Sequence, residues 1–263
     1  MLLALDVGNS QIFGGVFEKD RLLFRFRKTS ASNATSDEFG VFFKSVLREN
    51  KIKPEKILNV AICSVVPDLI YPLHQSSIKY FNIEPFLIGP GIKTGLNIKY
   101  KNPNEVGSDR IANAIAGISL FPDKNLIIAD FGTATTFCAI NRKKEYLGGL
   151  IMPGLKISME SLAARTAKLP KIEIAKPAEL VAKTTIESIQ SGLYYGNLFA
   201  VKEILSKIKI DYFDGKDTIT LGTGGFSRLF EDSKIFDRIM PDLVLTGINF
   251  AFQMNKTAKE LAQ

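Results

Sequence analysis

The chain has 263 residues, 46% hydrophobic and 23% charged, which indicates a folded globular protein of one large or two ordinary domains. Its formal net charge is +7, but the longest basic run is Arg142-Lys143-Lys144, and no basic stripe is interleaved with aromatic residues. We therefore expect small anionic ligands and no nucleic acid.

The scarce residue types exclude several kinds of site. His74 is the single histidine, so a His-rich metal site or a His-dependent catalytic relay is not expected, and we assign His74 no function. Cys63 and Cys138 lie in apolar runs and are predicted to be core thiols. The apolar start lacks a basic leader and is broken by Asp6, and no apolar run approaches the ~18 residues that cross a bilayer. We expect a cytoplasmic protein that does not bind membranes.

The first half of the chain predicts alternating strands and helices. Thr35 and Glu38 have the spacing at which two side chains cap each other's backbone N–H groups at a helix start. In chain order, the pattern predicts strands at 2–7, 11–17 and 22–28, a helix at about 36–49, a strand within 57–64, a helix at 67–80, a strand at 85–88, a loop at 101–107 and a helix at roughly 109–120.

The second half restarts the same order. Pro153-Gly154 interrupts a strand, and Thr184 with Glu187 repeats the spacing of a helix cap. The predicted elements are strands at 126–131, 136–140 and 145–151, a helix near 155–165, a long helix from Thr184 to about 207, a strand at 218–222 and a helical tail from Leu243 to about Leu261.

The two halves also match each other in sequence. A gapless alignment that places residue 2 on residue 126 puts the same aspartate–x–glycine–hydroxyl turn after the first strand of each half. The matched pairs are Asp6 with Asp130, Gly8 with Gly132 and Phe13 with Phe137.

This repeat predicts an α/β protein of two domains related by internal duplication, each a mixed sheet with flanking helices. We expect the domains to face each other and to span residues 1–120 and 121–263, with the last helix able to pack back on the first domain.

The repeated turns suggest a phosphate site. Glycine lets the backbone approach a bulky anion, and successive N–H groups of such a turn can point at phosphate oxygens. A carboxylate beside phosphate requires a cation between them, so Asp6 implies Mg²⁺. A single such turn is equally typical of an ordinary β-turn, but the pair predicts a polyphosphate clamp.

Two further segments have both a functional and a structural interpretation. Thr223-Gly224-Gly225 follows a strand and can expose backbone to a flat ring or ribose, or can simply be a strand-to-helix turn. Asp109 and Arg110 stand at a predicted helix start, where Asp109 can accept a proton from a substrate hydroxyl or merely cap the helix. Arg110 can hold a substrate carboxylate in a two-pronged contact.

Together these segments resemble the type III pantothenate kinases of the acetate/sugar-kinase, actin-like superfamily. The Gly-Gly-x-Ile-x-Pro-Gly and Thr-Ala-x-Leu-Pro pieces are specific to this branch, and Ser10 keeps the hydroxyl where threonine is frequent. The matching stretches, in the family's order, are Asp6–Ser10, Gly107–Ala114, Asp130–Thr136, Gly148–Gly154, Thr166–Pro170, Thr185 with Gly192, and Thr223–Gly225.

The resemblance implies an actin-like fold and ATP-dependent phosphorylation of pantothenate, the first step toward coenzyme A, by a homodimer. It implies ATP with Mg²⁺ and a monovalent cation, K⁺ or NH₄⁺, as cofactors. The ATP-binding residues would be Asp6, Val7, Gly8, Asn9, Ser10, Gln11, Ile12, Phe13, Gly132, Thr133, Gly224 and Gly225. The pantothenate-binding residues would be Tyr100, Gly107, Ser108, Asp109, Arg110 and Thr185, with Thr185 reaching in from the neighbouring subunit. Asp109 would be the catalytic base, Asp6 would place Mg²⁺ and Asp130 the monovalent cation.

Elementary electrostatics adds one expectation. Asp109 stands near a helix N-terminus and beside Arg110, so we expect a lowered pKa and a carboxylate that orients the attacking hydroxyl in a loose transition state. The alternatives are a kinase or polyphosphate hydrolase of the same fold acting on another substrate, and a non-catalytic nucleotide-dependent regulator or accessory protein. The pair Asp109 and Arg110 favours the kinase, because a pure regulator has no need of it.

Overall fold

The computed structural model describes residues 1–215 and 217–256. The chain divides into two compact units. The first unit contains residues 1–96 and 101–120 together with the described chain from Leu243 onward. The second unit contains residues 97–100 and 121–242.

The first unit is built on a five-stranded sheet of order β3-β2-β1-β4-β5. Strand β2 runs antiparallel to both β1 and β3, whereas β4 and β5 run parallel to β1. The elements are β1 (Leu2–Val7), β2 (Gln11–Glu18), β3 (Arg21–Thr29), α1 (Ser36–Glu49), β4 (Asn59–Ser64), α2 (Pro67–Phe81), β5 (Phe86–Ile88) and α3 (Ser108–Leu120).

The helix α1 shows why the local sequence folds as predicted. Thr35 N–H donates to Glu38 Oε2 at 2.7 Å and Glu38 N–H donates to Thr35 Oγ1 at 3.2 Å, so the reciprocal cap is confirmed. Phe39, Phe43 and Leu47 repeat at helical spacing on one face and are buried in the core of this unit.

The second unit contains a six-stranded sheet of order β11-β10-β7-β8-β9-β6. Apart from β6, this sheet repeats the first one: β7 to β11 take the places and directions of β1 to β5, in the same chain order. This confirms the internal duplication. The elements are β6 (Asn97–Ile98), β7 (Asn125–Phe131), β8 (Ala134–Ile140), β9 (Glu145–Pro153), α4 (Leu155–Arg165), α5 (Thr185–Phe213), β10 (Thr218–Thr223) and β11 (Arg238–Ile239).

The strand register corrects the gapless match between the halves. Asp6 pairs with Phe13, but Asp130 pairs with Thr136. Gly8 N–H donates to the carbonyl of Gln11, whereas Gly132 N–H donates to that of Ala134, so the second turn is one residue shorter. The match of Phe13 with Phe137 is therefore wrong, because the equivalent of Phe13 in the second sheet is Thr136.

Other differences from the predicted elements are small. The strands β6 and β11 were not predicted, because two residues are too short to show a periodicity. The helix α5 continues to Phe213 instead of ending near 207. The last helix, α6, is described over Leu243–Asn255, and the predicted continuation to Leu261 falls outside the described residues.

The helix α6 packs on α3 within the first unit. A Cβ on Gly247 would overlap the backbone of Ala112, so the two helices approach at backbone distance there. Across residues 1–215 and 217–256, none of the helices is both long enough and apolar enough to cross a membrane.

Candidate active site

The first aspartate turn joins β1 to β2. Gly8 N–H donates to the carbonyl of Gln11 at 3.1 Å, and the hydroxyl of Ser30 donates to the carbonyl of Gly8 at 2.6 Å. Ser30 N–H also donates to the carbonyl of Ser10 at 3.1 Å, so the end of β3 holds the turn in place. Residues 9–11 are exposed. The turn is thus a fixed loop that presents Asn9, Ser10 and Gln11 to solvent.

Three other residues predicted to bind ATP have buried side chains. Val7 and Ile12 are 0% exposed and Phe13 is 6% exposed, with the guanidinium of Arg27 lying 4.1 Å from the centre of the Phe13 ring. These residues form the support of the turn, and only their backbone groups are available to a ligand.

The strand pairing places the Asp6 turn beside the start of α3. Asp6 lies opposite Cys63 in the parallel pair of β1 and β4. The hydroxyl of Ser108, the first residue of α3, donates to the carbonyl of Ser64 at 2.9 Å. The structure therefore brings two predicted motifs together at the ends of β1 and β4: the Asp6 turn and the segment Gly107–Arg110.

The pKa of the Cys63 thiol shows which charged groups lie near it. The thiol is fully buried, as predicted, and burial together with the negative charges of Asp6 and Asp109 raises its pKa well above the usual value. A hydrogen bond with Ser108 works in the opposite direction. Both carboxylates thus lie within electrostatic range of one neutral thiol.

Asp109 has a raised pKa, so the expected lowering is wrong. Its Oδ1 accepts a hydrogen bond of 2.7 Å from the backbone N–H of Arg110. That bond and the Arg110 guanidinium lower the pKa, but the desolvation of the carboxylate by burial is larger and raises it. The expectation counted the nearby positive groups and omitted the loss of water, which only the folded chain produces.

This arrangement suits proton acceptance. A carboxylate of raised pKa is a stronger base than an exposed aspartate while it is ionised. Arg110 is buried, with 6% of its surface exposed, and acts electrostatically on Asp109.

The second aspartate turn has a different neighbour. Asp130 pairs with Thr223 across β7 and β10, and the chain then turns at Gly224 with a φ of +86°. A Cβ on Gly224 would overlap Asp130 Oδ1 and lie 2.6 Å from the backbone nitrogen of Phe131. The hydroxyl of Ser227 donates to the carbonyl of Gly224 at 2.9 Å and fixes this turn. Only glycine fits at position 224.

Gly154 lies against the second turn, a position that its place in the Gly148–Gly154 motif did not predict. A Cβ there would overlap the carbonyl oxygen of Thr133 and lie 2.7 Å from that of Gly132. The start of α4 therefore packs directly on the second turn. The available signal was that family motif, in which we interpreted Pro153-Gly154 as a strand end and assigned Gly154 no contact. Gly225, in contrast, is exposed, and the space around it is open.

The remaining predicted substrate residues belong to the second unit, whereas Gly107–Arg110 belong to the first. The ring of Tyr100 packs edge-on against Tyr146, with centres 6.4 Å apart. Thr185 is exposed in the first turn of α5, directly after the capping residue Thr184.

Each of the two aspartates, taken separately, fits a cation that is shared with a ligand. Among the residues that the structure describes, no three His, Cys, Asp or Glu side chains form a cluster that could hold a metal alone. Magnesium in phosphate sites commonly takes one or two protein carboxylates and completes its shell with water and phosphate oxygens. Asp6, at the edge of an exposed polar turn, matches that pattern. Asp130, beside the Gly224 turn, offers a carboxylate that can serve as one hard oxygen ligand.

Comparison with solved structures supports the fold. A protein described as a Baf family transcriptional activator from Campylobacter jejuni aligns with a TM-score of 0.58 at 18% identity, covering 96% of this chain and 98% of that one. A protein described as a 2-dehydro-3-deoxygalactonokinase from Sinorhizobium meliloti aligns with a TM-score of 0.58 at 10% identity, covering 96% of both chains. With the duplicated sheets, these likenesses show the actin-like α/β fold.

Sequence comparison identifies the family. The family model for type III pantothenate kinases matches residues 2–207. A type III pantothenate kinase from Legionella pneumophila (strain Paris) is 56% identical over 255 residues, which cover 97% of this chain and 99% of that protein. This chain therefore belongs to the type III pantothenate kinase family.

Proposed function

We infer that the chain catalyses the ATP-dependent phosphorylation of pantothenate to 4′-phosphopantothenate, the first step of coenzyme A biosynthesis. Its identity to type III pantothenate kinases over nearly the whole chain supports this activity. The structural observation that carries the proposal is the position of Asp109. A carboxylate of raised pKa stands at the start of α3, which is hydrogen-bonded to the end of β4 beside the Asp6 turn.

In this proposal the two glycine turns bind ATP. Asn9, Ser10 and Gln11 offer exposed polar groups, whereas Val7, Ile12 and Phe13 contribute backbone only. In the second unit, Gly132 and Thr133 also contact ATP, and the open space at Gly225 next to Gly224 admits the adenosine. Backbone N–H groups in such turns bind phosphate oxygens without a side chain in the way.

The chemical step needs a hydroxyl, a phosphoryl group and a proton acceptor. The hydroxyl oxygen of pantothenate attacks the γ-phosphorus of ATP, and the bond from that phosphorus to the β–γ bridging oxygen breaks to release ADP. Asp109 orients the hydroxyl and accepts its proton. Because the transition state is loose, positioning and charge neutralisation supply most of the rate. Arg110, Tyr100 and Thr185 are proposed to bind pantothenate.

The carboxylates beside the two turns suggest which residues would bind the cations. Mg²⁺ placed by Asp6 would neutralise phosphate charge, and we assign a monovalent cation, K⁺ or NH₄⁺, to Asp130. Both assignments rest on a carboxylate standing beside a turn suited to phosphate, where an uncompensated negative charge would repel the ligand.

We also propose a homodimer in which Thr185 completes the pantothenate site of the neighbouring subunit. Large apolar side chains of the second unit are exposed: Val181 at 79% and Ile186 at 52% lie near Thr185 in sequence, and Ile151 is 66% exposed. An association surface would require such side chains to form a contiguous apolar patch. Sedimentation and activity measured over one dilution series test it, and a fully active monomer would contradict the shared site.

The decisive test of the function is acceptor-dependent release of ADP. The purified protein with Mg²⁺, K⁺ and ATP should release ADP on addition of pantothenate, but not of glycerol, glucose or acetate. Release with another alcohol only would indicate a kinase of different specificity, and ATP binding without any turnover would indicate a regulator. A cytoplasmic location stays a prediction.

A further inference from the structure

Gly107 is a glycine whose backbone does not require glycine. It is not among the glycines with positive φ, which are Gly91, Gly95, Gly148, Gly215 and Gly224 in the described chain. Alanine could therefore adopt its conformation without strain. The reason for glycine at position 107 therefore lies in the atoms that a side chain there would contact.

A side chain at this position would strike the Asp109 carboxylate. A Cβ built on Gly107 lies 2.6 Å from Asp109 Oδ1, closer than real Cβ atoms come to another atom. Its next neighbours are ordinary contacts, 3.7 Å from Asp109 Cγ and from Cγ1 of Val65. The conflict thus involves one atom, and that atom accepts the hydrogen bond from the backbone of Arg110.

The backbone around Gly107 is held on both sides. Its carbonyl accepts the N–H of Ile111 at 3.1 Å, which is the first hydrogen bond of α3. The next residue, Ser108, donates its hydroxyl to the carbonyl of Ser64 at 2.9 Å. An added methyl group would therefore displace the carboxylate more readily than the chain.

We propose that Gly107 is a positioning residue: the absence of a side chain lets the Asp109 carboxylate fold back on the first turn of α3, in the orientation that accepts the substrate proton. This rests on the proposed function, because it assigns Asp109 the base. The family resemblance implies that Gly107 binds pantothenate. The proposal adds that Gly107 also acts through Asp109, by leaving room for its carboxylate.

The first experiment compares Gly107→Ala with Gly89→Ala, whose added Cβ would meet nothing within 4 Å. We expect Gly107→Ala to lower kcat at least tenfold with the KM for ATP within twofold, and Gly89→Ala to change neither. The acidic limb of kcat should move to higher pH in Gly107→Ala, because the carboxylate loses the N–H bond that lowers its pKa. An unchanged kcat with an unchanged pH profile would overturn the proposal.

A second experiment does not depend on activity. Asp109→Ala removes the atom that the new methyl group strikes, so Gly107→Ala should lower the Tm of the parent but not that of Asp109→Ala. If Gly107→Ala fails to fold, its recovery in the double variant supports the same conclusion. An equal loss of Tm, or failure to fold, in both backgrounds overturns it. If Asp109→Ala itself keeps full activity, the assignment of Asp109 as the base fails, whereas the steric relation is still decided by the Tm values.

Discussion

The two aspartate turns stand at the same place in a repeated fold, yet their neighbours differ. Asp6 lies opposite Cys63 across β1 and β4, and Asp130 lies opposite Thr223 across β7 and β10. Next to Cys63, the carbonyl of Ser64 holds the start of α3, which carries Asp109. Beyond Thr223, the chain provides Gly224, whose backbone lies against Asp130. The duplication repeats the turn and changes what stands beside it.

This difference assigns different chemistry to the two turns. The first has a second carboxylate nearby, with a raised pKa, and is suited to proton transfer. The second has exposed backbone and open space at Gly225, and is suited to binding. We propose that a common scaffold supports a reacting half and a binding half, and the following predictions test that distinction.

The largest effect should come from Asp109→Asn, which keeps the size of the side chain and removes its charge. General bases typically contribute ~10²–10⁴-fold, or about 3–5 kcal/mol of barrier, so turnover should fall by that order. ATP affinity should stay within a few-fold and the Tm should change little. Steady-state kinetics measure the turnover, and nucleotide titration measures the ATP affinity. Turnover within about threefold of the parent would reduce Asp109 to a helix cap.

The second turn should show a cation requirement. With Asp130 assigned to a monovalent cation, activity in Na⁺ or Tris buffers should be at least about tenfold lower than with K⁺ or NH₄⁺, a loss of about 1.4 kcal/mol. Asp130→Asn should lose this response. The check is initial rate against cation concentration, and full activity after rigorous removal of K⁺ and NH₄⁺ would contradict the assignment.

Gly224→Ala should damage the second unit by strain and overlap with Asp130. A residue other than glycine at positive φ costs on the order of 1–3 kcal/mol, and the contact with Asp130 adds to it. Gly225→Ala is the matched control, since its Cβ would enter open space. Chemical denaturation of both variants measures the difference, and equal stability would show that the turn relaxes freely.

The smallest effect is a shift in pH dependence. Asp109 must be ionised to accept a proton and its pKa is raised, so the acidic limb of kcat should lie above the range of an ordinary aspartate, ~3.9. The free energy of unfolding depends on pH in the opposite direction. The folded state holds this proton more tightly than the unfolded state, so the contribution of Asp109 to stability decreases as the pH rises through the raised pKa.

A pH–rate profile of the parent measures this shift, with Asp109→Asn as the control that should lack the limb. A limb at the ordinary position of aspartate would show that burial of the carboxylate is relieved when substrate binds.

The amino-acid sequence determined the elements and the motifs, because these depend on residues close together along the chain. The cap formed by Thr35 and Glu38 spans one helical turn, and the strand pattern of each half predicted its mixed sheet. The repeat of Asp6 at Asp130 was also visible. The family motifs indicated the family and its actin-like fold from the amino-acid sequence alone.

The tertiary structure decided what depends on segments brought together from a distance. The pKa of Asp109 is raised because folding removes water from the carboxylate, and no spacing along the chain reports that loss. Likewise, Gly154 packs on Thr133 from some twenty residues away, and the shorter second turn appears only in the strand pairing. Hydrogen bonds between near neighbours can be inferred from sequence, whereas burial and close approach require the folded chain.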